Sequence, residues 1–302
     1  MSTSKPSASP AGPAEQVSAP AAVRTVALVT HSHPPSASEA VAAAVAAAGD
    51  SRRLLATREE LVKHGDAAAG IEEVEALPES PDLCLVLGGD GSILWALRQY
   101  AGTEVPVFGV NFGTVGFLAA VERDELHEGL RRALAGEFEV LDLPGLEASG
   151  AGSQGVALND VTFSRRPHGR VAELSYRIAG EEVGHVRCDG LVAATPTGST
   201  GYNLANQGPI LAWGVEGYAV SYIAAHTLTA RALVVAPDDI LHVGNATGRE
   251  PVEVALDGEA IGDLPPGAEV EVRFRHRAGR LAQLPGSSFY HRIREKFGHL
   301  AH

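Results

Sequence analysis

Two kinds of residue that would open obvious chemistries are scarce in this chain. Cysteine occurs twice in 302 residues, at Cys84 and Cys188, each inside an apolar run. So few thiols exclude a disulfide framework and a thiolate metal site, and they point to a reducing compartment, so the chain is expected in the cytoplasm. Basic residues are in the minority: 24 Lys and Arg against 37 Asp and Glu give a formal net charge of −13. Phosphate backbones are held by basic stripes, and the short clusters Arg131-Arg132, Arg165-Arg166 and Arg273 to Arg280 do not make one, which excludes nucleic acid as a partner. No run approaches the roughly 20 apolar residues that cross a bilayer, and the first residues lack the basic-then-apolar order of a secretory signal. No membrane partner is expected. The 12 histidines are scattered, without HExxH or paired ligand spacing, and no metal ligand is assigned.

What is present suits a globular chain of about two domains: 45% hydrophobic residues and a mean hydropathy near zero. Residues 1–23, rich in Ser, Ala and Pro, cannot bury enough apolar surface to fold alone and are expected to form a disordered tail. From Arg24 the pattern turns to apolar strands followed by helices. Thr25 to Thr30 reads as a buried strand and Ser36 to Ala48 as a helix. Asp82 to Leu87 and Val105 to Val110 repeat the strand pattern, with helices over Ser92 to Tyr100 and about Glu122 to Leu134. Strands without polar alternation that alternate with helices imply a parallel sheet covered on both faces, here over residues 24–143. Beyond Leu143 short strands with glycine-bearing turns predict a mostly antiparallel β domain over 144–285: Val156 to Phe163, Arg170 to Ile178, Glu182 to Val186, Leu191 to Ala194, Ala232 to Val235, Ile240 to Val243, Val252 to Leu256 and Glu269 to Arg275. A last helix within 286–302, apolar at Tyr290, Ile293 and Phe297, is expected to pack back on the first domain.

Three constellations could carry chemistry. In Gly88-Gly89-Asp90-Gly91-Ser92 the glycines let backbone approach a ligand and adopt positive φ, while the following helix turns its free N–H groups and positive dipole end toward the turn. That makes a phosphate cradle holding one carboxylate, although a tight turn with an Asp cap needs the same residues. The turn lacks the Gly-Lys-Ser/Thr of a Walker A loop and the GxGxxG of a dinucleotide turn. In the second, Asp189-Gly190 leads through a buried strand into Thr195-Pro196-Thr197-Gly198-Ser199-Thr200-Gly201-Tyr202-Asn203, whose hydroxyls can serve phosphate or ribose oxygens and whose Tyr202 offers a flat face. The third is Asn159-Asp160, a polar pair within an apolar run. Such a pair is costly unless satisfied and is suited to gripping vicinal hydroxyls, though a bulge or strand-end turn would also account for it. Arg187 and Asp189, two apart on a strand, share a face, and an ion pair explains them equally.

Taken together the residues resemble the NAD kinase family. The resemblance rests on GGDGS at 88–92, GVNFGTVGFLA at 109–119, ALND at 157–160, CDGLVAATPTGSTGYNLANQGPIL at 188–211, HTLTARALVV at 226–235 and SFYHRIREKFG at 288–298, in the family's order. GGDG alone is shared with lipid and sphingoid kinases and with phosphofructokinases; the TPTGST loop after CDG is far more specific. The resemblance implies a Rossmann-like α/β domain joined to a β domain, and phosphorylation of the adenosine ribose 2′-hydroxyl of NAD by ATP or polyphosphate with Mg²⁺ or Mn²⁺. It implies Asp90 as the catalytic base, and Gly88, Gly89 and Ser92 at the phosphates. It further implies Asn159 and Asp160 at the substrate ribose, Gly91 among the substrate-binding residues, Asp189 with Arg187 near the nicotinamide end, and Thr200, Gly201, Tyr202, Asn203 and Ala205 along the dinucleotide. A homodimer or homotetramer whose copies complete each other's sites is implied as well. Departures from the family pattern fall at Ser92, Thr114, Gly201, Ala205, Ala225 and Glu259. They keep open a divergent copy acting on NADH or only sensing the dinucleotide, whereas the polar loop argues against a lipid kinase.

Overall fold

The computed structural model describes residues 17–18, 22–30, 35–112 and 116–298. Thr114, most of the expected tail 1–23 and the last residues of the 286–302 segment lie outside them.

Five parallel strands form the first half of the molecule, in the order Val107–Val110, Leu83–Leu87, Thr25–Thr30, Arg53–Thr57, Glu72–Val74. The short strands Arg53–Thr57 and Glu72–Val74 carry little apolar patterning and were not anticipated from sequence. The chain runs outward from Thr25–Thr30 to one edge, then returns to its other side at Leu83–Leu87. A sheet that reverses its winding there opens a crevice beyond the carboxyl ends of those two strands. The Gly88 turn follows Leu87 at that crevice.

Helices cover both faces. Pro35–Ala48 buries Ala37, Ala40, Val41, Ala44 and Ala48, the spacing of one helical stripe, and Leu126–Leu134 buries Leu126, Leu130, Ala133 and Leu134 beside it. Asp90–Gln99 packs Ile93, Ala96 and Leu97 on the opposite face.

The second half is a sandwich. A six-stranded antiparallel sheet runs Leu233–Val235, Tyr218–Ile223, Gly190–Ala194, Asp160–Arg165, Val252–Leu256, Glu259–Leu264. Its inner face, with Val161, Phe163, Leu191 and Tyr218, meets Leu146, Leu174, Val243 and Val272 from the opposite sheet.

The two halves share a sheet. Glu269–Gln283, expected to stop near Arg275, is 15 residues long and continues to Gln283. Its first part pairs with Leu241–Asn245, its last part lies parallel to Val107–Val110, and Glu139–Gly150 accompanies it on the other edge. The expected border at 143–144 therefore falls inside a continuous strand, because Glu139–Gly150 and Glu269–Gln283 belong to both cores. Within the expected tail, Val17–Ser18 pair with Glu139 and Val140, and Val23 is buried.

The expected single strand Val156 to Phe163 is two, Ser153–Ala157 and Asp160–Arg165, broken at Leu158-Asn159. The last helix, Phe289–Phe297, stacks Phe289 and Phe297 on Phe117 and so packs against the first half. Among the described residues no helix is long and apolar enough to cross a membrane.

Candidate active site

Gly89 is extended (φ −84°, ψ −177°) and caps the helix that begins at Asp90. None of Gly88, Gly89 and Gly91 has positive φ, which corrects the sequence expectation. The glycines matter here through missing bulk: a Cβ on Gly91 would meet nothing within 4 Å, and one on Gly89 would come no nearer than 3.9 Å to another side chain. The helix start is therefore open to an anion. Ser92 is half-buried in the first turn, its N–H donating to the Gly89 carbonyl at 3.0 Å.

Asp90 turns its carboxylate onto the loop after Val107–Val110. Phe117 N–H donates to Oδ2 at 2.7 Å and Leu118 N–H to Oδ1 at 3.0 Å. Gly116 permits this approach, since a Cβ there would lie 2.3 Å from Oδ1. A carboxylate has about four acceptor positions, so two main-chain donors orient Asp90 and leave capacity for a substrate hydroxyl.

The break at Leu158-Asn159 is organised by Asp257, at the turn after the strand Val252–Leu256. Its fully buried carboxylate accepts the N–H groups of Leu158 (3.0 Å), Asn159 (2.7 Å) and Asp160 (3.1 Å). Arg98, from the helix that starts at Asp90, lies 3.8 Å from Asp257 and pairs with Glu259. Leu158 shares one apolar cluster with Ile93 and Leu97 of that same helix. The Asp90 helix and the strand break are thus linked by a common apolar cluster and one ion-pair network.

Asp160 is 7% exposed. Burial, then the neighbouring charge of Asp257, pushes its carboxyl up to about 7. Between the ordinary carboxyl range near ~4 and that value, the folded protein holds a proton that the unfolded chain has released. Stability from this group is therefore greatest at the acid end and falls as pH rises through the window. Asp160→Asn should remove that slope, so urea midpoints of substrate-free protein should show the variant gaining on wild type from about pH 5 to about pH 8. Parallel curves would refute the assignment.

The Thr195 to Tyr202 loop spends most of its hydroxyls on itself, contrary to the expectation that they serve a ligand. Thr195 Oγ1 donates to the Leu158 carbonyl at 2.6 Å and accepts Gly198 N–H at 3.1 Å, and Ser199 Oγ donates to the Pro196 carbonyl at 2.6 Å. Thr200 Oγ1 donates to the Thr197 carbonyl at 3.3 Å, and Asn203 Nδ2 to Ser199 and Pro209 carbonyls at 3.0 Å. A buried loop must satisfy its own carbonyls before it can serve anything else. The loop locks onto the strand break: Thr195 N–H donates to the Asn159 carbonyl at 2.8 Å, and a Cβ on Gly198 would lie 2.0 Å from that oxygen. Three buried acceptor or hydroxyl atoms, Asn159 Oδ1, Thr197 Oγ1 and Asn203 Oδ1, have no partner among the described residues. Gly201 and Tyr202 stand exposed beside them. Ala205 lines a pocket of ≈ 520 Å³ with Tyr222, Ala224, Ala225 and Arg231.

Arg187 and Asp189 are not a pair. Asp189 instead binds Arg165 on the adjacent strand (2.7 and 3.3 Å), which holds its carboxyl below the usual range. Arg187 is exposed and shares with Asp189, Arg165 and His226 a second pocket of ≈ 650 Å³. Asp189 precedes the strand Gly190–Ala194 and Thr195 follows it, so the two lie about 20 Å apart at ~3.3 Å per residue. Asn159, Asp160 and the Thr195 loop meet at the strand break, and the Asp90 helix is tied to that break through Arg98 and a shared apolar cluster; Arg187 and Asp189 stand at the far end of the strand Gly190–Ala194.

Sequence reading missed Arg98, Gly116, Asp257 and Arg165 as parts of the site. Gly116 lay within the GVNFGTVGFLA segment and Asp257 within an Asp-Gly turn after an apolar strand, while nothing local marked Arg98 or the partner of Arg165.

Residues 39–138 match the model of the ATP-NAD kinase N-terminal domain, and residues 158–284 that of the ATP-NAD kinase C-terminal domain. A Symbiobacterium thermophilum NAD kinase is 36% identical over 256 residues, 81% of this chain and 90% of the relative. One from Geotalea daltonii is 33% identical over 73% of this chain and 79% of the relative. Among solved structures, yeast NADH kinase complexed with NADH superposes with a TM-score of 0.81 at 22% identity, over 96% of this chain and 94% of that one. An Archaeoglobus fulgidus NAD kinase in complex with ATP gives 0.68 at 23% identity, over 91% and 97%. These two show the shared fold.

Proposed function

The chain belongs to the NAD kinase family, and from that membership we propose how its residues divide the work of phosphorylating NAD with ATP. Asp90 accepts the proton of the adenosine ribose 2′-hydroxyl as that oxygen attacks the γ-phosphorus. The bond from the γ-phosphorus to the β-bridging oxygen breaks, ADP leaves with the electron pair, and NADP is released. Such transfers depend on positioning and charge stabilisation, and a base within hydrogen-bond reach adds about 10²–10⁴-fold. Gly88, Gly89 and Ser92 at the open helix start receive the phosphates, and Gly91 belongs with the substrate-binding residues.

Asn159, Asp160 and the exposed end of the loop, Thr200 to Tyr202, hold the dinucleotide. The observation that carries this reading is that Leu158, next to Asn159, shares an apolar cluster with Ile93 and Leu97 of the Asp90 helix. Asn203 acts by bracing the loop, and Ala205 lines the adjoining pocket.

Arg187 and Asp189, about 20 Å from the break, serve the nicotinamide end of a dinucleotide bound to a second copy, which makes the working form a homodimer or homotetramer. The working compartment is the cytoplasm and the product feeds NADP supply.

Among the described residues no group of three or more His, Cys, Asp or Glu is placed to hold a metal. Those residues do not fit a resident metal. The divalent cation, Mg²⁺ or Mn²⁺, enters with the triphosphate as part of the substrate, bound mainly by phosphate oxygens and water.

The test is NADP formation by purified protein with NAD, ATP and Mg²⁺, with NADH and polyphosphate in parallel arms. NADP from NAD and ATP is the expected result. Binding of NAD without turnover from any donor would replace the enzyme by a dinucleotide sensor.

A further inference from the structure

Arg292, on the last helix, is 7% exposed and feels the charge of Asp90. One guanidinium nitrogen donates to Gln283 Oε1 at 2.7 Å, and Gln283 Nε2 donates to the Leu118 carbonyl at 2.9 Å. Leu118 is the residue whose N–H donates to Asp90. Both backbone groups of Leu118 are thus held, one by the carboxylate and the other through Gln283 by the guanidinium. The neighbouring Phe117, whose N–H holds the other Asp90 oxygen, is clamped by Phe289, Phe297 and Lys296 of the same helix.

Stability alone gives a poor reason for an arginine here. Burying a guanidinium costs several kcal/mol before compensation, and Nε has no partner among the described residues. Burial pulls Arg292 below the ordinary guanidinium range, while the carboxylates of Asp90, Glu122 and Glu295 oppose that shift. The surroundings include Trp213, whose ring centroid is 5.7 Å away, with Phe289 and Ile293 on the same helix. An apolar side chain would serve those contacts at lower cost.

We propose that Arg292 is a positioning residue for phosphoryl transfer: through Gln283 and Leu118 it fixes the loop that aims the Asp90 carboxylate at the acceptor hydroxyl. The last helix is then part of the catalytic apparatus although it touches no substrate. This inference rests on the assignment of Asp90 as the base.

The test is steady-state kinetics of full-length protein with NAD and ATP. Arg292→Met should lower kcat about 30-fold with KM for NAD within about threefold, because small displacements of a catalytic group cost turnover before binding. Arg292→Lys should recover part of the loss. Gln283→Met leaves the arginine in place but breaks the bridge; it should lower kcat about tenfold at constant KM and keeps the test available if Arg292→Met does not fold. Wild-type kcat in Gln283→Met, or KM rising in step with the fall in kcat, would overturn the proposal. If these variants are active while Asp90→Asn is dead, only the Arg292 role fails; if Asp90→Asn is itself active, the assignment of the base fails first.

Discussion

Asp90→Asn should bind NAD with nearly wild-type affinity and turn it over about 10³-fold more slowly. Two losses combine. A carboxamide takes no proton at neutral pH, so the 2′-hydroxyl must attack without a base. The amide nitrogen must also face one of the two N–H groups, Phe117 or Leu118, that now donate to carboxylate oxygens, and two donors meeting there push the loop away. Neither loss touches Asn159, Asp160 or the Thr195 loop, which are held by their own partners. The measurement is kcat by NADP formation beside the NAD dissociation constant by calorimetry. Unchanged kcat would remove Asp90 as the base; a collapse of NAD binding would make it a structural brace for the site.

Asp257→Ala should lose both stability and substrate affinity. Three main-chain N–H groups converge on this one carboxylate, and a buried donor left unsatisfied costs about 1–3 kcal/mol. Alanine also fits poorly at φ 50°. Two effects work the other way: a buried charge is removed, which burial already disfavours, and Asp160 loses a like charge. A net loss of about 3 kcal/mol is expected, with KM for NAD raised at least about tenfold because Asn159 and Asp160 lose the anchor that orients them. Asp257→Asn, which retains one acceptor oxygen for the Asn159 and Asp160 amides, should fall between. Denaturant midpoints and kinetics together check this. Lost stability with unchanged KM would separate Asp257 from the substrate.

Much of the architecture was legible along the chain. The runs Thr25 to Thr30 and Asp82 to Leu87, the alanine-rich helix and the glycine-punctuated strands beyond Leu143 all carry their periodicity locally, within the span of one element. The Gly88 to Ser92 turn and the Thr195 to Tyr202 loop are visible as contiguous strings, and together with the other matching segments they carry the family resemblance. Arg53–Thr57 and Glu72–Val74 were missed because strands of five and three residues with charged members carry too little pattern. The glycines of the turn were read as conformational, yet the backbone there is ordinary and what counts is the side chains they lack.

The sequence by itself determined the alternation of elements, the position of the Asp90 turn and the polar composition of the Asn159-Asp160 pair and its neighbouring loop. Tertiary structure alone decided their partners. Asp257 reaches Asn159 across 98 residues and Gln283 reaches Leu118 across 165. Asp189 takes Arg165 rather than Arg187 because strand register brings Arg165 beside it. The sheet runs through the expected domain border because two long strands each find neighbours in both halves. Local periodicity records which face of an element is apolar; it holds no record of which distant segment that face will meet.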